Sequence, residues 1–450
     1  MKKVALIGFG AAAIGFLKGM IDNGNIKDYE VDVYEMGRDI ENSGFGGLKY
    51  DGKLFISKNM GGDLEIPTNI QREIVEFFLE KADMISYENG KKVYKKDIEH
   101  GLSFDDEDLF KKFYNEGFEP VKSEFFHIGT DALADTVKKI YQDFEKEENI
   151  NFHFNSKIEK INKFESHYTI NNINKNYDHL ILAVGRRGHK LVKSLIAQEP
   201  KIVLSNNKVD LGVRFELPDH VVQELNDKMY EFKLRLKTKT GYTVRTFCNN
   251  PSGEVTLEKY DDFVTVNGHA KANKKTKNTN FAILVTHSFT QPFNDPIGYG
   301  SYISKLSNIL SGGEKVILQT YEDFYNSNRT KKVGRVEPTL SDDSYILGDL
   351  NLVFPRKTVE SIIDFMERLN EVIPGITYPD NLLYGVEAKF YGNKVDNSLF
   401  DNLKIIGDSS GWTRSITYAA AHGYLISNTL WMTFKSPKFG AFKNLWINYY

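Results

Sequence analysis

Val4-Ala5-Leu6-Ile7-Gly8-Phe9-Gly10-Ala11-Ala12-Ala13 decides the fold: an apolar, β-prone run breaks into two glycines and then into alanines. Lys2 to Ile7 lacks polar alternation, which predicts a strand buried on both faces of a parallel sheet. Gly8 and Gly10 then predict a tight turn, Ala11 to Asp22 a helix, and Tyr29 to Tyr34 a second strand closed by Glu35. In such a unit the first glycine permits the turn and the second lets backbone approach a pyrophosphate. A small third residue, here Ala13, lets helix and strand pack closely. The helix N–H groups and dipole receive phosphate, and Glu35 would accept hydrogen bonds from ribose hydroxyls. FAD and NAD both satisfy this pattern.

Near the other end of the chain, Leu403-Lys404-Ile405-Ile406-Gly407-Asp408 repeats the logic of an apolar strand delivering a polar group. Asp408 could bind a ribityl hydroxyl or order a water bridging the pyrophosphate. The following Ser409-Ser410-Gly411-Trp412-Thr413-Arg414-Ser415-Ile416 leads into an Ala-rich helix from Thr417 to Leu430, whose start offers N–H groups to a flavin pyrimidine or to phosphate.

Outward from these two segments, the 450 residues suggest two or three lobes, with a net charge of -3 that implies no polyanionic partner. Mean hydropathy is -0.41, and no stretch reaches the roughly 18 to 20 apolar residues of a membrane span. The N-terminal run lacks the features of a secretory signal, so a cytoplasmic compartment is expected. One cysteine, Cys248, excludes a disulfide or dithiol relay within the chain, and no Cys/His cluster has zinc spacing, so no metal is expected. Redox chemistry would have to come from a cofactor.

Residues 67 to 124 read as an inserted helical element, with helical patterning at Ile70 to Met84 and Asp105 to Tyr114. Thr130 or Asp131 is expected to cap a helix over Ala132 to Glu145. Strands are expected at Ile150 to Phe154, Lys157 to Ile161 and Tyr168 to Ile170, and Asp178 to Gly185 reads as a buried strand ending in Ala-x-Gly. From Ile202 to about Asn328 shorter alternating strands suggest a second, largely antiparallel domain. The expected division is therefore 1–66 and 125–200 as two parts of a cofactor domain, 201–330 as a substrate domain, and 331–450 as the return to the first domain with a C-terminal helix and tail.

At this point the chain resembles the predicted FAD-dependent dehydrogenases of the glutathione-reductase-like flavoprotein superfamily. The elements are Gly8-Phe9-Gly10, Gly44-Phe45-Gly46-Gly47 with Asp51-Gly52-Lys53-Leu54, His127-Ile128-Gly129-Thr130-Asp131, Leu182-Ala183-Val184-Gly185 and Asp210-Leu211-Gly212-Val213-Arg214. In the same order follow Arg245-Thr246-Phe247-Cys248, Pro251-Ser252-Gly253-Glu254-Val255, Val266-Asn267-Gly268, Leu383-Tyr384-Gly385-Val386-Glu387 and Gly407-Asp408. The resemblance implies a tightly held FAD in an α/β, Rossmann-like domain that is discontinuous in sequence, with a mainly antiparallel second domain over the isoalloxazine. Expected cofactor contacts are Gly8, Gly10, Ala11, Ala12, Ala13, Glu35, Met36, Gly46, Gly47, Lys157, Ile158, Ala183, Val184 and Gly185. Gly407, Asp408, Gly411, Arg414, Ser415 and Ile416 complete them. The chain departs from the family at Ala13, at Asn249-Asn250 in place of a second cysteine, and at Arg186-Arg187 where small residues are usual.

For catalysis the candidates are Arg214, Arg245, Cys248 and His269, each more readily read as structural or solvated; Cys248 in particular is expected to be a buried structural residue. The expected activity is an FAD-dependent oxidoreductase passing hydride through flavin N5 to or from a small metabolite. The alternatives are a flavoprotein acting on RNA and a dinucleotide-binding regulatory protein without turnover. Two basic patches, Lys233, Arg235, Lys237, Lys239 and Lys271, Lys274, Lys275, Lys277, read as solvated faces, so nucleic acid is not the expected partner. No second Gly-x-Gly motif supports a dedicated NAD(P)H domain, and NAD(P)H as external reductant stays open. The aromatic, Lys-containing tail from Phe439 to Tyr450 is expected to pack back on the protein.

Overall fold

The structure is a computed structural model that describes residues 1–43, 48, 52–88, 91–95, 99–171, 173–199, 201–202, 204–229, 232–270, 275–396 and 402–429. Its contacts divide the chain into two compact units, one of Met1–Gly101, Ser123–Ser205 and Gly392–Tyr450, the other of Leu102–Lys122 and Asn206–Tyr391. Residues 331–391 therefore group with the second unit rather than with the return to the first.

The first unit is built on a five-stranded sheet in the order Leu403–Ile405, His179–Leu182, Lys2–Ile7, Tyr29–Tyr34, Ile150–His153, with every neighbouring pair parallel. From Val4 to Ile7 the first strand is buried, as its unbroken apolar run requires. The helix Ala11–Asp22 lies against the helix Ile416–Thr429, and glycines set the separation. A Cβ on Gly15 would stand 1.8 Å from the Ala420 carbonyl oxygen, and one on Gly423 2.0 Å from that of Ala12. Backbone meets backbone here, so no side chain larger than hydrogen fits without moving a helix.

Several expected elements shift. The helix Thr130–Phe144 is preceded by Gly129 at φ +88°, so Gly129 occupies the cap position and Thr130 is already helical. No strand covers residues 157–160; the strand begins at Ile161 and pairs Ile161–Lys163 with Tyr168–Ile170. The segment 67 to 124 is mixed rather than helical. Along the sequence the helix Thr68–Lys81 is followed by a hairpin of Ile85–Glu88 with Lys91–Tyr94, whose β-branched and aromatic residues favour strands, and then by the helix Glu107–Asn115.

The second unit contains an eight-stranded sheet in the order Tyr345–Leu347, Val316–Thr320, Leu382–Lys389, Val209–Pro218, Asn278–His287, Thr243–Asn250, Leu234–Lys237, Phe118–Pro120. All its pairs are antiparallel except the first. Val209–Pro218 and Asn278–His287 pair from end to end, and apart from Pro218 and Thr286 every residue of both is buried. Their apolar partners come from the helix Arg356–Val372, through Ile362, Phe365, Met366 and Leu369. The mixed α/β class and the largely antiparallel character expected of the second region both hold. Among the described residues no helix is long and apolar enough to cross a membrane.

Candidate functional site

At the carboxyl edge of the parallel sheet, five segments follow their strands in spatial order: Ile406–Asp408, Ala183–Gly185, Gly8–Gly10, Glu35–Met36, and Phe154–Ile158. The chain leaves the first strand towards one side and later returns on the other. The reversal falls between Lys2–Ile7 and His179–Leu182.

At that reversal Gly8 has φ +92°, and a Cβ on it would lie 2.7 Å from the Ala183 carbonyl oxygen. An L side chain would be both strained and overlapped there. The Gly8 N–H donates to the Tyr34 carbonyl at 2.8 Å, tying the turn to the second strand. Gly10 stands at the cap of the helix with no side chain bonded to its first N–H groups, so the helix start at Ala11, Ala12 and Ala13 presents backbone donors. Glu35, 7% exposed, accepts from Phe9 N–H at 3.0 Å and from Gly37 N–H at 2.8 Å. The carboxylate thus braces the glycine turn from the second strand. Met36 is exposed, Ile158 is buried, and the Lys157 ammonium pairs with Glu159 at 2.6 Å. Gly44 to Gly47, including the expected contacts Gly46 and Gly47, and Asp51 lie outside the described residues.

On the other side of the reversal, Gly407 has φ +65°, and a Cβ there would meet the Ala12 methyl at 2.6 Å. The two glycine segments of the sequence are therefore neighbours in space. Asp408 accepts from the Thr413 hydroxyl at 2.8 Å and from Arg186 Nε at 2.9 Å, while Arg186 Nη2 donates to the Arg414 carbonyl at 3.3 Å. Arg186, marked in the sequence only as a departure, is thus the direct partner of the expected cofactor carboxylate. Arg414 and Lys394 both reach Asp63, at 2.8 and 2.7 Å. Gly411, at φ +76°, packs against the Asn393 carbonyl, and the Ser415 hydroxyl accepts from the Tyr418 N–H at 3.3 Å at the start of the final helix, where Ile416 is buried.

Three residues here escape a reading of the sequence: Asp63, Gly15 and His422. His422 is buried and accepts the Gly407 N–H on Nδ1 at 3.2 Å, which leaves its ring proton on Nε2. Nε2 finds no partner among the described residues. Burial pulls the ring down to about 4, so it is neutral at physiological pH.

The four catalytic candidates sit in the second unit and do not form one constellation. Arg214 is fully buried, with Nε 2.8 Å from Glu387, Nη2 donating to Glu387 at 3.1 Å and to Asn267 at 2.8 Å, and Nη1 donating to the Cys248 carbonyl at 2.9 Å. The Nε contact is close but lies off the hydrogen-bond axis, so the pairing is ionic at that atom. Arg245 pairs with Asp210, which also accepts from Tyr391 at 2.7 Å and Thr286 at 2.6 Å. Burial raises the Asp210 carboxyl, but the Arg245 guanidinium and these hydrogen bonds outweigh it, so the group lies below the usual carboxylate range. His269 is exposed and its Nδ1 is 3.1 Å from the Thr256 hydroxyl. Cys248 corrects the expectation of burial: it is exposed, at φ +43°, where the strand Thr243–Asn250 slips register between Phe247 and Asn250. A bulge turns its side chain out of the ladder.

Of the basic patches, Lys233, Arg235 and Lys237 alternate with buried Leu234 and Leu236 along an edge-proximal strand, whereas Lys271 and Lys274, like Phe439 to Tyr450, lie outside the described residues.

Residues 209–390 match the family described as FAD-dependent protein, C-terminal domain-like. This match bears out the FAD-dependent resemblance at family level and FAD as the cofactor that goes with it. No curated protein matches the sequence. Solved structures give loose likenesses. The crystal structure of CtdE in complex with FAD is 9% identical, with 95% of this chain and 82% of that chain covered and a TM-score of 0.35. Tetracycline destructase Tet(51) is 10% identical over 95% and 80%, at 0.37. Glycine oxidase from Geobacillus kaustophilus is 10% identical over 97% and 96%, also at 0.37. At such scores the likeness carries no detail of the site.

Proposed function

We propose that the protein is an FAD-dependent oxidoreductase, with a Rossmann-like first unit that holds the cofactor and a second unit that carries the substrate. One observation carries the reading: the Gly8 turn, Ala183–Gly185 and Gly407–Asp408 meet where a parallel sheet reverses its strand order, the place at which open α/β sheets bind nucleotides. The residues present fit an FAD. Gly8 and Gly407 keep the crevice free of side chains, the uncapped start of the helix Ala11–Asp22 offers donors for the pyrophosphate, and Glu35 stands at the end of the second strand for the adenosine ribose.

FAD, when bound, supplies reversible hydride chemistry at flavin N5. The chain's part is to orient and to set charge. Arg186, bridging Asp408 and the Arg414 carbonyl, holds the Asp408 carboxylate in an ion pair beside the segment that the family resemblance assigns to the flavin. The neutral His422 holds the Gly407 N–H and so fixes the turn that delivers Asp408. A small organic metabolite is the proposed partner in hydride exchange.

Purified protein should be yellow, release FAD on denaturation, and bleach under anaerobic titration with NADH, NADPH or a reduced metabolite. Protein that stays colourless after addition of FAD would falsify the reading; flavin that no donor reduces would leave a binding protein without turnover. Gly8→Val should lower FAD affinity about a hundredfold, roughly 3 kcal/mol, because strain and overlap fall on the same atom. Retention of wild-type affinity, measured by flavin fluorescence, would remove the Gly8 turn from the site.

A further inference from the structure

The helix Pro296–Ser311 of the second unit carries its polarity the wrong way round for a surface helix. Its buried face is small and polar, made of Gly300, Ser304, Ser307, Asn308 and Ser311, with Ile303 the one large apolar side chain among them. Backbone satisfies these polar groups. The Ser307 hydroxyl donates to the Gly385 carbonyl at 3.0 Å, and Asn308 accepts the Val264 N–H at 2.9 Å and donates to the Val264 carbonyl at 3.1 Å. The Ser304 and Ser311 hydroxyls donate to carbonyls of their own helix, Gly300 and Asn308, at 2.9 and 3.0 Å. Gly300 lets the helix lie close, since a Cβ on it would stand 2.7 Å from the Phe390 ring and 2.9 Å from a Val209 methyl.

The outer face is the apolar one. Tyr302 is 67% exposed, Ile309 74% and Leu310 40%, and Leu306 between them is half-buried. Lys305 is the only charge in the 16 residues, and Asp262 neutralises it. A surface helix ordinarily turns its charges to water and its apolar residues inward. Single exposed apolar residues are common, but a contiguous apolar stripe marks an interaction surface.

Spacing, charge and area say what covers it. Tyr299, Tyr302, Leu306 and Ile309 recur at intervals of three, four and three, the seam along which two helices interlock. The seam is also its own complement. Set antiparallel to a second copy with Tyr302 against Leu306, it brings Tyr299 against Ile309 in the same register, and Leu310 falls over Gly298. No like charges meet across it, because the one cation of the helix is already paired. At these exposures the face holds about 400 Å² of largely apolar surface in water. Pairing removes that area twice, about 800 Å², close to the apolar share of a standard interface of about 1,600 Å².

We infer that the outer face of the helix Pro296–Ser311 is a two-fold interface between copies of this chain, the two helices antiparallel and Tyr302 of each copy packed on Leu306 of the other. The pairing does not depend on the flavin assignment. Sedimentation velocity of the full chain at about 10 µM should give twice the 51.5 kDa of one chain, with a Kd of about 1 µM or tighter. Ile309→Glu, at a position already in water, should leave circular dichroism unchanged and weaken the dimer at least about thirtyfold, because it buries an unpaired charge in the seam. Leu352→Glu, at an apolar residue 67% exposed but off this helix, should leave the mass unchanged. In a Cys248→Ser background, Tyr302→Cys/Leu306→Cys should oxidise to a covalent dimer faster than either single cysteine variant. A monomeric wild type would overturn the inference, and two further readings would name the true cover: a lower Tm for Ile309→Glu points to another segment of this chain, and flotation with phosphatidylcholine–phosphatidylglycerol vesicles to a membrane. A dimer that survives Ile309→Glu, that Leu352→Glu dissociates equally, or that crosslinks no faster through the paired cysteines would overturn it as well.

Discussion

The two units solve the problem of a crowded interior in opposite ways. In the first, glycines remove side chains so that backbone can touch backbone, at Gly8 against Ala183, Gly15 against Ala420 and Gly423 against Ala12. In the second, long side chains are buried with their charges, and Arg214 with Glu387 and Arg245 with Asp210 run through the sheet. The first arrangement leaves a crevice edged by N–H groups and suits a flat, anionic ligand. The second fixes strand register by demanding that each cation meet its anion, a role buried polar pairs fill in other folds at some expense of stability.

Breaking a charge in the second unit should therefore be the largest single effect. Arg214→Met removes the guanidinium that meets both oxygens of the buried Glu387, leaving it the Lys389 ammonium at 3.3 Å, and should destabilise the protein by about 3 to 5 kcal/mol in urea unfolding. Arg214→Met with Glu387→Leu should recover part of that loss, because the buried carboxylate is gone, while Lys389 keeps Glu258 at 4.0 Å as its partner. If the single variant costs under about 1 kcal/mol, the pair does not hold the sheet in the way the comparison requires.

The first unit's buried titratable ring gives the next effect. With its ring at about 4 when folded against an ordinary value of 6.5, His422 binds a proton in the unfolded chain before it does in the folded one. Its contribution is fully present above about pH 6.5 and is lost as pH falls towards 4, to a total of about 3 kcal/mol. Burial pulls down His287 in the second unit as well, so the wild-type slope contains both rings. His422→Asn keeps an acceptor for the Gly407 N–H and removes the titration. It should flatten the stability profile between pH 6.5 and 4, and an unchanged slope would exclude His422 as the cause.

A smaller effect should follow from adding one methyl where the two helices meet. Gly15→Ala places a carbon against the Ala420 carbonyl, which no rotamer can avoid, and should destabilise by about 1 to 3 kcal/mol despite the better helix propensity of alanine. A stabilised variant would mean that the helices separate freely and that glycine is not what sets their distance.

How much of this the sequence discloses follows from the range of each interaction. The Gly8 turn, Glu35 and the Gly407-Asp408 end are legible because turn chemistry and the acidic strand end are local rules with fixed spacing. The match over residues 209–390 likewise agrees with motifs read in order along that stretch. Gly15 is not legible, since a mid-helix glycine is ordinarily only a weak helix former, and its partner Ala420 comes from the far end of the chain. Asp63 and Arg186 acquire meaning only when folding brings them to Arg414 and Asp408. The strand expected at Lys157 to Ile161 begins only at Ile161: Asn171 Oδ1 accepts from the Glu159 and Lys160 N–H groups, an interaction that replaces a ladder bond.

The smallest expected effect lies at Cys248, where the comparison can be made at one backbone angle. Outside glycine, the first unit places φ > 0 at Asp83, Asn155 and Asn171, residue types that tolerate it, whereas the second places it at Cys248, Ser252 and Ser327. Cys248 is held there by the bulge between Phe247 and Asn250 and by its carbonyl, which accepts from Arg214. Relief of the left-handed conformation gains about 1 to 2 kcal/mol on changing Cys248→Gly, and the added freedom of the unfolded chain takes back about 0.5 to 1 kcal/mol. The net gain should lie between about 0 and about 1.5 kcal/mol, read as a rise in Tm of a few degrees at most. Cys248→Val, with a β-branched side chain at the same angle, should move Tm the other way. If both variants melt with the wild type, the bulge relaxes without strain, and the buried Arg214 contact rather than the backbone angle is what the second unit conserves at this position.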